Sequence, residues 1–151
     1  MSMFILRIGV LVLVSILLWL IVWSGRRFVE AQRRRALAAT PIVSGPNDGD
    51  ANPGLSLVRI LAFSSADCRQ CHELQIPALQ RVLDARGSKV SVAEVDAPNS
   101  PDLTQRFRVP TLPSTVVMDA AGRAHAVNYG FANTQRLLDQ VDEVLAQVSV
   151  S

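Results

Sequence analysis

The chain has 151 residues, a length suited to one domain, and its 15 Lys and Arg against 13 Asp and Glu leave a formal charge of +2. The excess is uneven: residues 1–35 carry six Arg against Glu30, a net of +5, whereas residues 36–151 carry nine basic and twelve acidic groups, a net of −3. Nucleic-acid binding needs a basic patch on the folded part itself, so the count argues against a nucleic-acid partner.

The basic arm reads as a membrane anchor. "MFILRIGVLVLVSILLWLIVW", residues 3–23, is about 20 residues of nearly unbroken apolar character, the length that crosses a hydrocarbon core of roughly 30 Å. Arg7 lies near its start, where it can snorkel, and Trp19 and Trp23 stand where an aromatic belt belongs. "SGRRFVEAQRRR" follows in place of the small residues of a cleavage site, so the segment is expected to be retained. Arg26, Arg27, Arg33, Arg34 and Arg35 flank its C-terminal end, and basic flanks stay in the cytoplasm. A single-pass protein of the cell membrane, with its globular part on the cytoplasmic side, is the expectation. The same arginines face anionic headgroups and hold the helical stretch "FVEAQRRRALAA" near the lipid. "TPIVSGPNDGDANPG", residues 40–54, has the composition of a flexible linker. The predicted division is therefore 1–25 anchor, 26–54 basic juxtamembrane segment and linker, and 55–151 folded domain.

The folded part starts with "LSLVRILAF", an apolar run bounded by turn formers that predicts a buried strand. "CRQCHELQIPALQRVLDARG" predicts a helix: Leu74, Ile76, Leu79, Val82 and Leu83 recur at roughly helical spacing, Pro77 marks a kink and Gly87 a stop. "KVSVAEVD" is a second strand, and "SPDLTQRF" a short helix with Ser100 as cap and Pro101 at its first position. "STVVMDAAGRAHAVNY" is two strands around a "DAAG" turn. "NTQRLLDQVDEVLAQV" is an amphipathic helix capped by Asn133 or Thr134, with Leu137, Leu138, Val141, Val144, Leu145 and Val148 on its apolar face. The order β-α-β-α-β-β-α implies an α/β domain with a mixed central sheet and helices on both faces.

"SSADCRQCHEL", residues 64–74, holds both cysteines, Cys68 and Cys71. A strand running into C-x-x-C at the head of a helix, and some 40 residues later a proline opening a hairpin strand, resembles the thioredoxin-like family over about residues 55–150. The resemblance implies a thioredoxin-like fold. It also implies that Cys68 is the exposed nucleophile, that Cys71 resolves the mixed disulfide, and that a cis-proline faces them across the substrate groove. In "VPTLPSTVVMDAAG" the family run V-x-x-x-P-T, apolar strand, D-x-x-G fits Val109, Pro113, Ser114, Asp119 and Gly122, which nominates Pro113 and puts the Leu112 backbone beside Cys68. The bare triplet "VPT" nominates Pro110 instead, but the strand would then run through Pro113, which cannot donate to a ladder. Gly130 matches a family glycine near the groove; an ordinary turn glycine is the plainer reading.

The chemistry stands without the family. A thiolate attacks disulfides and a thiol does not. Cys68 opens a helix, where unpaired N–H groups and the macrodipole favour negative charge, and adjacent Arg69 adds a cation. A second thiol three residues on can release the partner by exchange. Several positions depart from the family: Asp67 replaces a tryptophan, Arg69 and Gln70 replace Gly-Pro, Ala62 replaces a buried aspartate, and Glu94 stands where the family has a lysine. Glu94 shares strand parity with Val90 and Val92, so its carboxylate can point inward and serve as general base for Cys71.

C-x-x-C-H is also the spacing of c-type haem attachment, with His72 and Met118 as axial ligands. An inward-facing domain, the apolar strand around Met118 and the strand-rich pattern oppose that reading. Zinc would need Cys68, Cys71, His72 and His125, of which adjacent Cys71 and His72 diverge on a helix. The reading that remains is a membrane-tethered thiol-disulfide oxidoreductase without cofactor or metal, its partners protein disulfides, an upstream electron donor and membrane lipid. A redox-inert binding module of the same fold is the rival.

Overall fold

The computed structural model describes residues 2–37 and 56–150. The chain divides into two compact units, Met1–Arg34 and Arg35–Ser151. The described residues of the first lie in the helix α1, Ser2–Leu37, which carries the basic stretch in the same helix as the apolar run and ends just inside the second unit. The described side chains from Val12 to Phe28 are all exposed. The Trp19 and Trp23 rings stack at 6.2 Å, and the Arg27 guanidinium lies 4.9 Å over the Trp23 ring. Among the described residues no helix is long and apolar enough to cross a membrane, so the expected transmembrane anchor gains no support from the structure. The linker expected over 40–54 lies outside the described residues.

The second unit is built from β1 (Val58–Ser64), α2 (Ile76–Arg86), β2 (Val90–Asp96), α3 (Pro101–Arg106), β3 (Ser114–Asp119), β4 (Ala124–Tyr129) and α4 (Thr134–Val150). The strands form one sheet in the order β2-β1-β3-β4, with β1 parallel to β2 and antiparallel to β3, and β3 antiparallel to β4. β1 reads as a continuous apolar run because it is interior and covered on both faces. Val58, Ile60 and Ala62 face one core with Leu79 and Val82 of α2 and Leu137, Val141 and Val144 of α4. Leu61 and Phe63 face a second core with Val95, Phe107, Val116, Met118 and Val127. The i, i+4, i+7 spacing of the three α4 residues lays one helical stripe against the sheet. Arg86 on α2 reaches Asp142 on α4 through Nε to Oδ1 at 2.7 Å and Nη2 to Oδ2 at 2.6 Å.

Between β1 and α2 the helix does not follow the expected phase. Cys71–Gln75 is a π turn, in which the Ile76 N–H bonds to the Cys71 carbonyl five residues back. Pro77 has no N–H and its ring crowds the carbonyl four residues earlier, so the ladder widens where a kink was expected. The extra residue rotates the helix face: Gln75 and Ala78 are buried, whereas Leu74 and Ile76, expected in the core, are 46% and 40% exposed. Ser100 makes no side-chain cap; its carbonyl accepts the Thr104 N–H at 3.0 Å instead. Asn133 caps α4, its Oδ1 accepting the Arg136 N–H at 2.9 Å.

α3 ends in a left-handed residue that is not glycine. The Val109 N–H bonds to the Thr104 carbonyl at 2.9 Å and the Arg108 N–H to the Gln105 carbonyl at 3.1 Å, a Schellman closure with Arg108 at φ 49°. A side chain there costs roughly 1–2 kcal/mol, and a glycine gives back about 0.5–1 kcal/mol through its freer unfolded state. Arg108→Gly is therefore expected to raise stability by up to about 1 kcal/mol, read as a higher urea midpoint; a lower midpoint would mean that the Arg108 side chain is itself stabilising.

Candidate redox site

The site forms where β1 ends and the helix begins. The Cys68 N–H bonds to the Ser65 carbonyl at 3.0 Å and the Arg69 N–H to the Asp67 carbonyl at 3.1 Å, so the loop after Ser64 turns tightly into the helix. Cys68 and Cys71 are joined by a disulfide, Sγ to Sγ 2.07 Å. Cys68 stands immediately before the first helical residue and caps it: its carbonyl accepts the Cys71 and His72 N–H groups at 3.0 and 3.3 Å, and its Sγ accepts the Cys71 N–H at 3.3 Å. An N–H aimed at this sulfur, at the positive end of a helix, favours negative charge on it. Cys68 is half-buried while Cys71 is only 1% exposed, so a partner can reach the first sulfur and not the second.

Arg69 contributes less than expected. Its Nε lies 2.8 Å from Glu73 Oε1, one turn along, so its charge is matched by a carboxylate rather than left to Cys68. Gln70 and His72 are exposed.

The sheet brings the other predicted residues to the same end. Phe63 at the end of β1 pairs with Ser114 at the start of β3, and Ser114 with Tyr129 at the end of β4. Pro113 and Gly130, one residue beyond these pairs, therefore sit at the edge of the sheet from which the Cys68 loop departs. Leu112-Pro113 is a cis peptide bond, Pro113 is buried, and Pro110 lies exposed in the preceding loop. Leu112 packs partly buried on the second core. The Ser114 hydroxyl donates to the Thr111 carbonyl at 2.7 Å and holds this loop. Gly130 has φ 85°, which L side chains rarely adopt.

Behind the disulfide lies a cleft of about 110 Å³ whose walls include Ala62, Cys71, Gln75, Leu79, Val92 and Glu94. Glu94 thus shares a cleft with the buried cysteine, as its strand parity predicts, yet the residue as a whole is exposed. Its Oε1 accepts the Ser64 hydroxyl at 2.9 Å. The cleft has room and polar partners for water, the carrier a proton would need between Glu94 and Cys71. Sequence reasoning missed Ser64 and Gln75. Ser64 reads as the first loop residue, whereas the structure makes it the last residue of β1, on the strand that pairs with Glu94's; Gln75 had no signal, because only the π turn faces it inward.

The haem and zinc alternatives lose their ligands. Met118 is 1% exposed in the second core, away from the cleft that holds Cys71. His125 is bound 3.0 Å from Asp119, at the opposite end of β3 from Pro113. Burial pushes the Asp119 carboxyl up, but hydrogen bonds from His125 and from the Arg123 backbone and side chain outweigh it and hold it below the usual carboxylate range. Among the described residues no group of three or more His, Cys, Asp or Glu could hold a metal ion.

No family model and no curated protein matches the chain. Solved structures do. A malarial protein aligns with TM-score 0.53 and 20% identity, over 60% of this chain and 99% of its own. Thioredoxin-2 of the malaria parasite, described as a component of that parasite's protein secretion machinery, aligns with TM-score 0.53 and 20% identity, over 58% and 82%. Chloroplastic thioredoxin z, described as defining a type-specific target recognition, aligns with TM-score 0.55 and 24% identity, over 72% and 96%. With the sheet order, the C-x-x-C disulfide at the helix head and the cis-proline at the same end of the sheet, these likenesses show that the second unit has the thioredoxin-like fold.

Proposed function

We propose that the protein is a thiol-disulfide oxidoreductase that reduces or exchanges protein disulfides through Cys68 and Cys71. The observation that carries this reading is the asymmetry of the pair, a reachable sulfur at a helix start joined to a buried one. In the reducing direction the Cys68 thiolate attacks one sulfur of the partner disulfide, forming a mixed disulfide and expelling the partner's first thiolate. The Cys71 thiol loses its proton, with Glu94 and water as the acceptor path, and attacks the Cys68 sulfur. The Cys68-Cys71 disulfide forms and the partner's second thiolate leaves, so two electrons pass to the partner. A dithiol donor then returns the pair to the reduced state.

The cis-proline loop supplies the facing wall, with Leu112 offering main-chain groups to a partner strand. The N-terminal arm is proposed to tether this chemistry to the membrane: the run 3–23 has the required length, the described side chains of α1 are exposed and largely apolar, and the arginines after the run favour the cytoplasmic side for the domain. Supplied with dithiothreitol, the full chain is expected to accelerate reduction of insulin disulfides, and a rate equal to the uncatalysed one would refute the proposal. A reporter active only in the cytoplasm should work when fused after Ser151; activity only of an outward reporter would reverse the orientation.

A further inference from the structure

Gln75 is 2% exposed, and both ends of its amide go to one distant residue. Nε2 donates to the Ala132 carbonyl at 3.2 Å and Oε1 accepts the Ala132 N–H at 3.0 Å. This is the hydrogen-bond exchange of two facing strand residues, made here by a side chain. The π turn Cys71–Gln75 makes it possible by rotating Gln75 into the interior, one turn beyond Cys71 and on the same cleft. Its partner lies in the short connection between β4 and α4, where Gly130 turns at φ 85°, Phe131 is left 45% exposed and Ala132 is buried. No regular ladder reaches Ala132, because β4 ends at Tyr129 and α4 starts at Thr134. The Gln75 amide therefore ties this connection to the helix that carries the disulfide.

We infer that Gln75 is a positioning residue for partner recognition: through Ala132 it fixes Gly130 and Phe131 at the end of the sheet from which the Cys68 loop departs, so that Phe131 offers an apolar contact to a protein partner whose disulfide is flanked by apolar residues. The inference rests on the oxidoreductase reading above. Removing the amide frees the connection but leaves the sulfurs and their helix start in place. It should weaken the fit of an extended protein partner and hardly touch a small disulfide that needs no groove.

The test uses the full chain and two substrates, insulin and 5,5′-dithiobis(2-nitrobenzoate). Gln75→Leu, close in volume and without polar atoms, should raise KM for insulin about tenfold, the worth of one or two hydrogen bonds, with kcat and the small-disulfide rate moved far less. Phe131→Ala should raise the same KM. Gln75→Glu should be impaired at high pH, where a carboxylate cannot donate to the Ala132 carbonyl, and recover as the pH falls and the donor returns. Equal loss on both substrates, or no change on insulin, would overturn the inference. Amide exchange at Phe131 and Ala132 provides a readout independent of catalysis. It should speed up roughly tenfold in Gln75→Leu while α4 stays protected, and unchanged exchange would overturn the inference whatever the activity. If the unaltered chain reduces neither substrate, the oxidoreductase reading fails by itself, and the exchange result still decides what Gln75 does.

Discussion

Replacing Cys71 with serine is expected to leave the protein covalently caught on its partners, whereas replacing Cys68 should leave it catching none. Attack needs a sulfur that a partner disulfide can approach in line. Cys68 is half-buried at the mouth of the site and Cys71 is 1% exposed behind it. The Cys71 N–H, 3.3 Å from Cys68 Sγ, adds a donor that favours charge on the first sulfur only. In Cys71→Ser the attack still proceeds, the mixed disulfide forms, and no thiolate is present to resolve it. In Cys68→Ser the remaining thiol cannot reach a folded partner. Turnover should fall to the uncatalysed rate in both. Non-reducing electrophoresis after mixing with a disulfide-bonded protein separates the two variants, and equal trapping by both would defeat the assignment of roles.

Phe107→Ala should be strongly destabilising to the second core. Phe107 is 1% exposed, its ring meets Phe63 edge to face at 6.1 Å, and its carbonyl accepts the Tyr129 hydroxyl at 3.1 Å. Truncating a buried aromatic costs about 3–5 kcal/mol through lost transfer energy and the cavity left behind. That is a large share of the roughly 5–15 kcal/mol by which a domain is stable. A fall in Tm of more than about 12 °C is expected for a domain of this size. The change also loosens the ground under the active-site loop, because Phe107 anchors the start of the segment that runs through Arg108 to Leu112 and Pro113. A loss below about 1 kcal/mol would mean that the face of the sheet opposite α2 and α4 is not organised around this ring.

Much of this architecture could be read from the sequence, because most elements carry one consistent signal. The stripe of Leu137, Val141 and Val144 keeps one helical period, the apolar run of β1 suits an interior strand, and the hairpin is marked by its "DAAG" turn although its register shifts by one residue at Val117 and Met118. Glu94 is nominated by its place in the family pattern and by strand parity, and it lines the cleft that holds Cys71. The failures cluster where one residue breaks the period. The π turn shifts the helix face, so Leu74 and Ile76 read as core, whereas the fold exposes them and buries Gln75. The Gln75 bond to Ala132 spans 57 positions and leaves no local trace. Arg108 adopts a glycine conformation without being glycine, so nothing in its type announces the turn. Arg69 was assigned to the dithiol from adjacency, but a carboxylate four residues on competes for it at 2.8 Å.

The central claim is that Cys68 and Cys71 form a reversible redox couple and not a structural staple. It is tested most directly by equilibrating the folded full chain in buffers of stepped dithiothreitol redox ratio, quenching with a thiol-alkylating reagent and measuring the mass of the protein. The account predicts one transition in which both thiols appear together, rising over about 30 mV per tenfold change in the ratio of reduced to oxidised protein, and the same curve when approached from the oxidised and the reduced side. Thiols that appear only after denaturation, or that do not rejoin on reoxidation, would contradict it.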